Sequence, residues 1–460
     1  MSFSFVCFGP LILQLDLKNA SCSRSVWYMR RRGDDRNTWR RGRRRQVYLS
    51  GMQRLYSKIK AKFVTYTLSV DQANALRAVG AWYRSKSSPY LTLGGYAGTG
   101  KTTLVAYLRR ALRDYDDSAT VAFCAYTGKA TRVLDERLRE QKVLRKGDSV
   151  STIHSLIYTT EESNSGSPQW VRKDKLGRDL IIVDEASMVD KAIWDDLTSF
   201  GIPILAVGDH GQLPPVGSAF NLMTEPAIRL ERIFRQAEDS PIIEVATMAR
   251  QTGVIPIGEF GQGVKKMNRT SAETGISVQE MLESWRPNLL VLCGYNATRV
   301  QLNRAIREMR DYTKPEPQAG DQVVCLRNNR LKHVFNGMIG TIVRVSPVQG
   351  NDGTAWYDAE IALEGEDFTY YGYILAEQFG AKETVKEFYI APDGERGDLW
   401  DFGYALTVHK AQGSQAEKVL VFEERFTRAS DEEWRRWLYT AVTRAERELT
   451  IVGMGPKQTA

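Results

Sequence analysis

Residues 90–103 read YLTLGGYAGTGKTT, and this stretch decides the class of fold. The apolar run at residues 90–93 is typical of a buried strand, and the apolar spacing of residues 102–112 is helical. Between them, Gly95-Tyr-Ala-Gly-Thr-Gly-Lys-Thr102 matches the pattern G-x-x-x-x-G-K-[ST]. A glycine loop that follows a strand and opens a helix is the context in which this pattern binds phosphate. The stretch therefore predicts an α/β protein with a phosphate-binding loop.

The residues of this loop have separate expected roles. Lys101 would reach the β- and γ-phosphates of a nucleotide, Thr102 would coordinate Mg²⁺, and Thr103 follows in the first turn of the helix. Glycines let backbone N–H groups wrap around phosphate at the positive N-terminus of the helix. The loop glycines are Gly95, Gly98 and Gly100. A fortuitous glycine turn is the alternative, and the agreement of motif and context argues against it.

Two later strand ends carry polar residues that complement the loop. Residues 179–187 read DLIIVDEAS, an apolar run that ends in Asp184 and Glu185. At the carboxyl end of a strand, Asp184 can hold Mg²⁺ while Glu185 polarises an attacking water. Residues 208–217 read GDHGQLPPVG, in which Gln212 would contact the γ-phosphate or that water. Taken alone, a solvated strand end and a plain Gly/Pro loop explain the same residues.

Strand and helix patterns alternate along the chain, which indicates parallel sheets of the α/β class. Apolar strand-like runs occupy residues 90–93, 120–125, 179–183, 203–207, 288–293, 404–407, 418–422 and 449–452. Further helical spacing appears at residues 71–83 and 297–309. Between about residues 315 and 399, Gly, Asn and Pro separate short strand-like pieces, which predicts a small antiparallel barrel inserted into the second α/β region. The sequence EESNSGS at residues 161–167 predicts the turn of a hairpin.

The net charge of +8 comes from one short segment near the N-terminus. Residues 21–46 hold ten Arg, no Lys and two Asp, so the remainder of the chain is neutral overall. This excludes a uniformly basic surface that coats nucleic acid. The composition of the segment predicts disorder, with order beginning near residue 65. Two explanations stay open: an electrostatic anchor to DNA or RNA, or upstream sequence translated through a misassigned start, with Met52 as the initiator.

Cysteine usage and hydropathy indicate a compartment. The five Cys form no CxxC pair and the chain has four His, which argues against a disulfide framework or structural zinc. The apolar run at residues 3–15 is interrupted by Pro10 and is shorter than the roughly 20 residues that span a bilayer. We therefore expect a cytoplasmic protein, in a bacterium or a phage-infected host, with no membrane partner.

Further segments, in order along the chain, give the phosphate loop a specific setting. They are LSVDQ at 68–72, AYTGKA at 125–130, STIHS at 151–155, RIFRQ at 232–236, YALTVHKAQGS at 404–414 and YTAVTRA at 439–445. Together with the loop and the two strand ends, this ordered set resembles the motifs of the superfamily 1B DNA helicases of the RecD/Dda-like branch. The resemblance runs from about residue 68 to residue 453 and is far more specific than a lone phosphate loop.

The resemblance implies an architecture. It is an α/β fold of two RecA-like parallel-sheet lobes, with a small β-barrel insertion in the second lobe and a short hairpin insertion in the first. The predicted boundaries are a basic segment at 1–64, lobe 1 at 65–230 with its hairpin near 156–176, lobe 2 at 231–316 and 399–460, and the barrel at 317–398.

The resemblance also assigns site residues. In the nucleotide site it implies catalytic roles for Lys101, Glu185, Gln212, Arg235 and Arg444, Mg²⁺ ligation by Thr102 and Asp184, base recognition by Gln72, and nucleotide contacts from Gln412 and Gly413. For nucleic acid it implies contacts from Thr127, Thr152, His154, Pro214, Pro215, Asn336, Thr407 and His409. Taken alone, the arginines are typical of surface ion pairs and the hydroxyl residues of helix caps. In the hairpin at residues 158–172, Trp170 is either a duplex-splitting wedge or a packing residue.

The activity that the resemblance implies is an ATP-dependent DNA helicase that uses Mg²⁺ and moves 5′-to-3′ on single-stranded DNA. Its expected substrates are single-stranded and fork DNA, in replication, recombination or repair. A single-strand-binding protein or a replisome component is an expected partner. Two alternatives stay open: a DNA-dependent ATPase that remodels nucleoprotein without unwinding, and a nucleic-acid-binding scaffold without catalysis.

Overall fold

A computed structural model describes most of the chain from residue 68 onward. The described ranges are 68–162, 168–214, 220–233, 240–329, 331–332, 334–366, 368–387 and 389–455, together with the two paired strands Cys7–Phe8 and Leu11–Ile12. The side chains of residues 160–162 and 168–170 lie outside the description. Residues 71–460 form one compact unit. The predictions for the Arg-rich segment and for Met52 concern residues that lie outside the described ones.

Helices and strands alternate along this unit. In chain order they are α1 (Val70–Ser85), β1 (Tyr90–Gly95), α2 (Lys101–Tyr115), β2 (Val121–Ala125), α3 (Gly128–Glu140), β3 (Ser149–Thr152), α4 (Ile153–Ile157), β4 (Tyr158–Glu162), β5 (Pro168–Arg172), β6 (Leu180–Asp184), α5 (Lys191–Thr198), β7 (Ile204–Gly208), β8 (Ile228–Leu230), α6 (Pro241–Thr252), β9 (Gly258–Gly261), β10 (Val264–Asn268), α7 (Ala272–Glu283), β11 (Leu289–Cys293), α8 (Asn296–Met309), β12 (Gln322–Cys325), β13 (Ile339–Gln349), β14 (Ala355–Leu363), β15 (Thr369–Leu375), β16 (Trp400–Phe402), β17 (Ala405–Thr407), β18 (Ala416–Phe422), α9 (Asp431–Val442) and β19 (Ala445–Gly453).

The first sheet is parallel throughout, in the order β8-β1-β7-β6-β2-β3. Its central strands are apolar on both faces because helices cover both sides, and every residue of β2 and β7 is buried. In the strand register Gly94 pairs with Gly208, and Ala125 pairs with Asp184. The carboxyl ends of β1, β6 and β7 therefore lie side by side, where ligands of open α/β sheets bind.

The second sheet has the order β9-β10-β19-β18-β11-β17 and is parallel except for the β9–β10 pair at its edge. Helix α9 packs beside this sheet through Trp434 and Trp437, whose rings stack with centroids 5.1 Å apart. Two buried helix residues anchor the polypeptide that leaves α8, because Arg307 bonds to Asp321 at 2.9 Å and Arg299 bonds to Asp401 at 2.6 Å. The inserted segment is thus fixed at both of its ends.

The inserted segment forms a five-stranded antiparallel sheet in the order β15-β14-β13-β12-β16. Its two edges meet at one bridge between Ile374 and Asp398. The Leu375 N–H donates to the Asp398 carbonyl at 3.0 Å. The sheet extends to Phe402, past the predicted boundary at residue 398. Its closure into a barrel and the domain boundaries stay predictions.

The α/β fold class is confirmed, since two mainly parallel sheets and an antiparallel insertion contain most of the described strands. The predicted hairpin is present as the antiparallel pair β4–β5, with Tyr158 opposite Arg172. The side chain of Trp170 lies outside the description, so its role stays a prediction. Among the described residues, every helix is too short or too polar to cross a membrane.

Candidate nucleotide site and predicted strand face

The phosphate loop joins β1 to α2 and depends on two glycines with left-handed backbone conformations. Gly98 and Gly100 both have φ of +78°, which residues with a side chain rarely adopt. A β-carbon at Gly100 would also lie 2.5 Å from the Nε2 atom of Gln72. Because α2 begins at Lys101, the loop delivers its backbone N–H groups at the positive end of that helix.

Lys101 folds back onto its own loop in this structure. Its ammonium donates to the carbonyl of Gly95 at 2.7 Å and to that of Tyr96 at 3.2 Å, and lies 3.9 Å from the Asp209 carboxylate. The adjacent Thr102 hydroxyl accepts from Arg137 of α3 at 3.3 Å. The ammonium therefore lies beside the loop with exchangeable partners, which phosphate oxygens can replace.

Gln72 is buried and braces the loop. Its Nε2 donates to the carbonyl of Thr99 at 2.9 Å. The side chain is only 1% exposed although α1 lies at the surface of the sheet. This hydrogen bond fixes the phosphate loop to α1. The base-recognition role of Gln72 stays a prediction.

Asp184 and Glu185 form a buried acidic pair at the end of β6. Glu185 has φ of +51°, a strained value for a residue with a side chain, and its N–H donates to the Asp184 carboxylate at 3.0 Å. Burial raises the pKa of both carboxyl groups, and the negative charge of Asp184 raises the pKa of Glu185 further, while Lys101 opposes both shifts. Among the described residues, the Glu185 Oε2 atom is buried without a hydrogen-bond partner. Glu185 also lines the cleft, so this oxygen is an unused acceptor in a residue of the candidate site.

The oxygen atoms present suit Mg²⁺. Thr102 and Asp184 both line the same cleft. Mg²⁺ usually binds one or two protein oxygens and completes its shell with substrate phosphates and water. The part of the chain that the structure describes has no cluster of three or more His, Cys, Asp or Glu that would form a metal site made of protein ligands alone. A cation shared with a phosphate ligand fits this donor set.

Arg444 comes from the second sheet and reaches the same cleft. It follows α9 and is 1% exposed. Its guanidinium donates to the Thr440 carbonyl at 3.0 Å and to the Ser414 carbonyl at 3.3 Å. Burial lowers the pKa of Arg444, whereas Glu185 and Asp209 raise it, and an arginine stays protonated in either case. Arg235, the other predicted arginine, lies outside the described residues.

Asp209, which lines the cleft, and Tyr439 join the two sheets, and sequence reasoning missed both. The Tyr439 hydroxyl donates to Asp209 at 2.7 Å and accepts from the Ala97 N–H of the phosphate loop at 2.7 Å. Burial raises the pKa of Tyr439 well above its usual range. Both residues lie inside motifs that the sequence analysis identified. Nothing in either motif indicates that the two side chains would pair with each other.

We predict that Tyr439→Phe destabilises the protein. The substitution leaves the buried Asp209 carboxylate and the Ala97 N–H without the hydroxyl that satisfies them. The free energy of unfolding should fall by about 1–3 kcal/mol, measured by urea denaturation. Tyr115→Phe is the matched control, because that ring is 57% exposed, and it should change the value by less than about 0.5 kcal/mol. Equal stability of the two variants would contradict the bridging role.

The loop after β7 is held by the second sheet as well. Gln212 is buried and lines the cleft. The Gln412 amide donates to the carbonyls of Leu213 at 2.6 Å and Pro214 at 3.2 Å, so in this structure it binds the loop. Gly413, with φ of +71°, lines the cleft. The nucleotide contacts of Gln212, Gln412 and Gly413 stay predictions.

The cleft has a volume of about 550 Å³, within the range of small-molecule sites. Its lining combines the phosphate loop, α3, the acidic pair and residues of the second sheet. These include Lys101, Thr102, Thr103, Lys129, Arg137, Asp184, Glu185, Asp209, Gln212, Gly413, Thr443 and Arg444. A larger cavity of about 750 Å³ lies beside β10 and β11, near Val264 and Leu289. That cavity lacks the phosphate loop and the acidic pair, so we identify the smaller cleft as the candidate nucleotide site.

The predicted strand face comprises Thr127, Thr152, His154, Thr407 and His409. The hydroxyls of Thr127 and Thr152 cap α3 and α4, because they accept from the N–H groups of Ala130 and Ser155 at 3.2 Å each. Thr152, His154 and Thr407 are buried. Burial lowers the pKa of His409. The structure thus places Thr127 and Thr152 at helix N-termini and buries Thr152, His154 and Thr407, and the nucleic-acid contacts of all five residues stay predictions.

The remaining predicted nucleic-acid residues are Asn336, in the inserted segment, and Pro214 and Pro215, in the loop after β7. Asn336 is exposed and its side-chain oxygen accepts from Lys410 at 2.7 Å. Burial lowers the pKa of Lys410 to about 8. Pro214 is exposed, and Pro215 lies outside the described residues.

Comparison with known families gives two matches along the chain. Residues 67–271 match the model of an AAA domain. Residues 402–452 match the model of the UvrD-like helicase C-terminal domain. The first match covers the phosphate loop, the acidic pair and the loop after β7, and the second covers the segments that carry Gln412 and Arg444.

Similar proteins include several helicases. The chain is 29% identical over 408 residues to the ATP-dependent RecD2 DNA helicase of Deinococcus radiodurans, covering 82% of this chain and 48% of that protein. It is 25% identical over 451 residues to the ATP-dependent DNA helicase dda of Enterobacteria phage T4, covering 84% and 99%. It is 26% identical to the RecBCD subunit RecD of Mycobacterium tuberculosis, covering 78% and 66%. The chain thus spans about half the length of RecD2 and nearly all of the phage protein.

Among solved structures, the chain is similar to Bacteroides Pif1 bound to single-stranded DNA. The identity is 17%, the TM-score is 0.43, and the alignment covers 86% of this chain and 94% of that one.

Proposed function

We propose, because the chain belongs to the RecD/Dda-like branch of the superfamily 1B helicases, that it is an ATP-dependent DNA helicase that translocates on single-stranded DNA. The observation that supports this most directly is one cleft that collects the phosphate loop, an acidic pair and an arginine from the other sheet. Phosphoryl transfer needs positioning and charge stabilisation more than covalent chemistry, and this set supplies both. We also propose a cytoplasmic location.

The residues of the cleft take the following roles in the proposed hydrolysis. Lys101 releases the loop carbonyls and binds the β- and γ-phosphates, and Gln212 orients the attacking water or the γ-phosphate. Thr102 and Asp184 would hold Mg²⁺, which neutralises charge on the phosphates when it is bound. Glu185 accepts the proton of the water, and its unsatisfied buried Oε2 gives it a free acceptor site among the described residues.

Arginines from the second sheet complete the proposed site. Arg444 lines the same cleft as Glu185, and we propose that it contacts the γ-phosphate. We propose that Arg235 has a matching role. Charge developing on the transferred phosphoryl group is stabilised only while the two sheets stay together, so hydrolysis and phosphate release loosen the cleft. The Tyr439 hydroxyl bonds to both Asp209 and the Ala97 N–H, so a movement of the second sheet would act directly on the phosphate loop.

Motion of the two sheets is the proposed source of translocation. Residues of the predicted strand face follow strands of both sheets, because Thr127 follows β2, Thr152 ends β3 and Thr407 ends β17. Hydroxyls and backbone amides there can hold phosphates of a strand without reading its sequence. A single-strand-binding protein or a replisome component as a partner is a further proposal, which rests on family membership.

The proposal predicts a requirement for a 5′ overhang. A fork duplex with a 5′ single-stranded overhang should be unwound in the presence of Mg-ATP, and a duplex with only a 3′ overhang should not. Strand displacement, followed with a fluorophore–quencher pair, measures both substrates side by side. Efficient unwinding from the 3′ overhang would reverse the polarity, and DNA-stimulated hydrolysis without unwinding of either substrate would favour a translocase that remodels nucleoprotein.

A further inference from the structure

One aromatic residue of the inserted segment stacks on a residue of the predicted strand face. Phe335, between β12 and β13, stacks on His154 of α4 with ring centroids 3.5 Å apart and an interplanar angle of 24°. His154 is 3% exposed and Phe335 is 6% exposed. A flat ring stacked on a histidine has the geometry of an unpaired base on an aromatic side chain. Phe335 therefore occupies a position that a base of a bound strand would need.

A second contact lies at the start of α3, where the inserted sheet presents negative charge. We call residues 364–366, between β14 and β15, the acidic turn. Glu364 pairs with Lys129 at 3.0 Å between its Oε1 and the ammonium. A β-carbon at Gly128 would lie 2.4 Å from the Glu366 carboxylate and 2.6 Å from the Gly365 carbonyl. The turn thus lies directly against the first residue of α3.

This close approach depends on glycine on both sides. Gly365 has φ of +85°, and a β-carbon there would lie 2.9 Å from the backbone nitrogen of Lys129. Thr127, a residue of the predicted strand face, caps the same helix end. Carboxylates are favourable at a helix N-terminus and beside a lysine for the same reason that phosphates are. The acidic turn therefore supplies the charge that a strand phosphate would supply at this position.

We propose that the inserted sheet closes over the predicted strand face when no strand is bound, with Glu364 and Glu366 in the place of phosphates and Phe335 in the place of a base. A single strand must displace these contacts in order to bind. The inference rests on the proposed function, because the displaced contacts lie where a helicase of this branch would hold its strand. The Lys129–Glu364 pair is about one-third exposed on each side, so it contributes little and can be broken readily.

The proposal is tested with the double variant Glu364→Gln/Glu366→Gln in the full chain. Fluorescence anisotropy with a labelled oligothymidylate should show affinity about 3–10-fold tighter than the wild type, because the closed form no longer competes with the strand. The matched control is Glu383→Gln/Glu387→Gln, which removes the same charge from exposed positions of the same insertion. Equal gains in the two double variants would overturn the inference, since a general loss of negative charge would explain them.

A second measurement reports the contact itself. A zero-length carbodiimide should link the Lys129 ammonium to the Glu364 carboxylate in the strand-free chain, giving a cross-linked peptide pair in mass spectrometry. Saturating oligothymidylate should suppress this cross-link. A cross-link that persists unchanged with bound strand would overturn this inference but not the proposed function. Failure of the wild type and both double variants to bind oligothymidylate would overturn the proposed function, and the inference with it.

Discussion

Lys101→Ala should abolish ATP hydrolysis that is stimulated by single-stranded DNA. The ammonium is the cation that α2 places at the phosphate loop, and alanine leaves no donor to reach the β- and γ-phosphates. Loss of one preorganised donor to developing negative charge typically costs about 10²–10³ in kcat, and a lysine that also binds the ground-state phosphates should cost at least that much. Phosphate release with saturating oligothymidylate measures the effect.

The variant should remain folded, and this separates a catalytic role from a structural one. Among the described residues, the Lys101 ammonium donates to carbonyls of its own loop and lies 3.9 Å from Asp209, so alanine leaves the cores of both sheets intact. Circular dichroism and the Tm should match those of the wild type closely. Lys146→Ala, at an exposed lysine between α3 and β3, is the control and should retain full hydrolysis. Substantial DNA-stimulated turnover by the Lys101 variant would refute the assignment of the cleft.

Local sequence signals predicted the central strands and the acidic pair, because those features depend on neighbours in the chain. A parallel strand covered on both faces must be apolar, as β2 is along its length and β6 is up to its terminal Asp184. The glycine positions of the loop follow from its backbone conformation, with Gly98 and Gly100 in the left-handed region. The hairpin β4–β5 followed from its polar turn. These predictions needed no knowledge of distant contacts.

Some strands near the edges of the sheets escaped prediction because tertiary pairing overrides their composition. Residues of β10 read VKKMN, which has no apolar run, yet the strand pairs in parallel with β19. Lys266 is buried there because its ammonium pairs with Glu423 at 2.6 Å and donates to the Ile255 carbonyl at 2.8 Å. A lysine in such a segment is typical of a surface loop. Only the folded chain supplies the partners that make the strand possible.

The links between the two sheets were also beyond local reasoning. The Tyr439 hydroxyl bridges Ala97 and Asp209, which are hundreds of residues away in the sequence. The stacking of Phe335 on His154 likewise joins the insertion to the first sheet. Motif recognition assigned each of these segments a separate role. The structure shows that motifs from both sheets share hydrogen bonds.

Glu185→Gln should stop hydrolysis while leaving ATP binding in place. Glutamine keeps the shape of the side chain but cannot take a proton from water, so kcat should fall by about 10²–10⁴. The KM for ATP should stay the same or decrease, because the phosphate loop and Lys101 remain. Steady-state hydrolysis and binding of a fluorescent ATP analogue measure the two quantities. Glu140→Gln, at an exposed position of α3, is the control, and near-normal turnover by the Glu185 variant would assign water activation elsewhere.

The stability of the same variant tests why the fold keeps this glutamate. Burial and the neighbouring Asp184 raise the pKa of Glu185, so the folded state disfavours its ionised form at neutral pH. The residue also has φ of +51°, and its Oε2 is buried without a partner among the described residues. Glutamine removes the unfavourable charge, so the Tm should be no lower than that of the wild type. If Glu185→Gln loses turnover without losing stability, the protein needs Glu185 for hydrolysis and not for folding. Functional sites commonly keep residues that lower stability in this way.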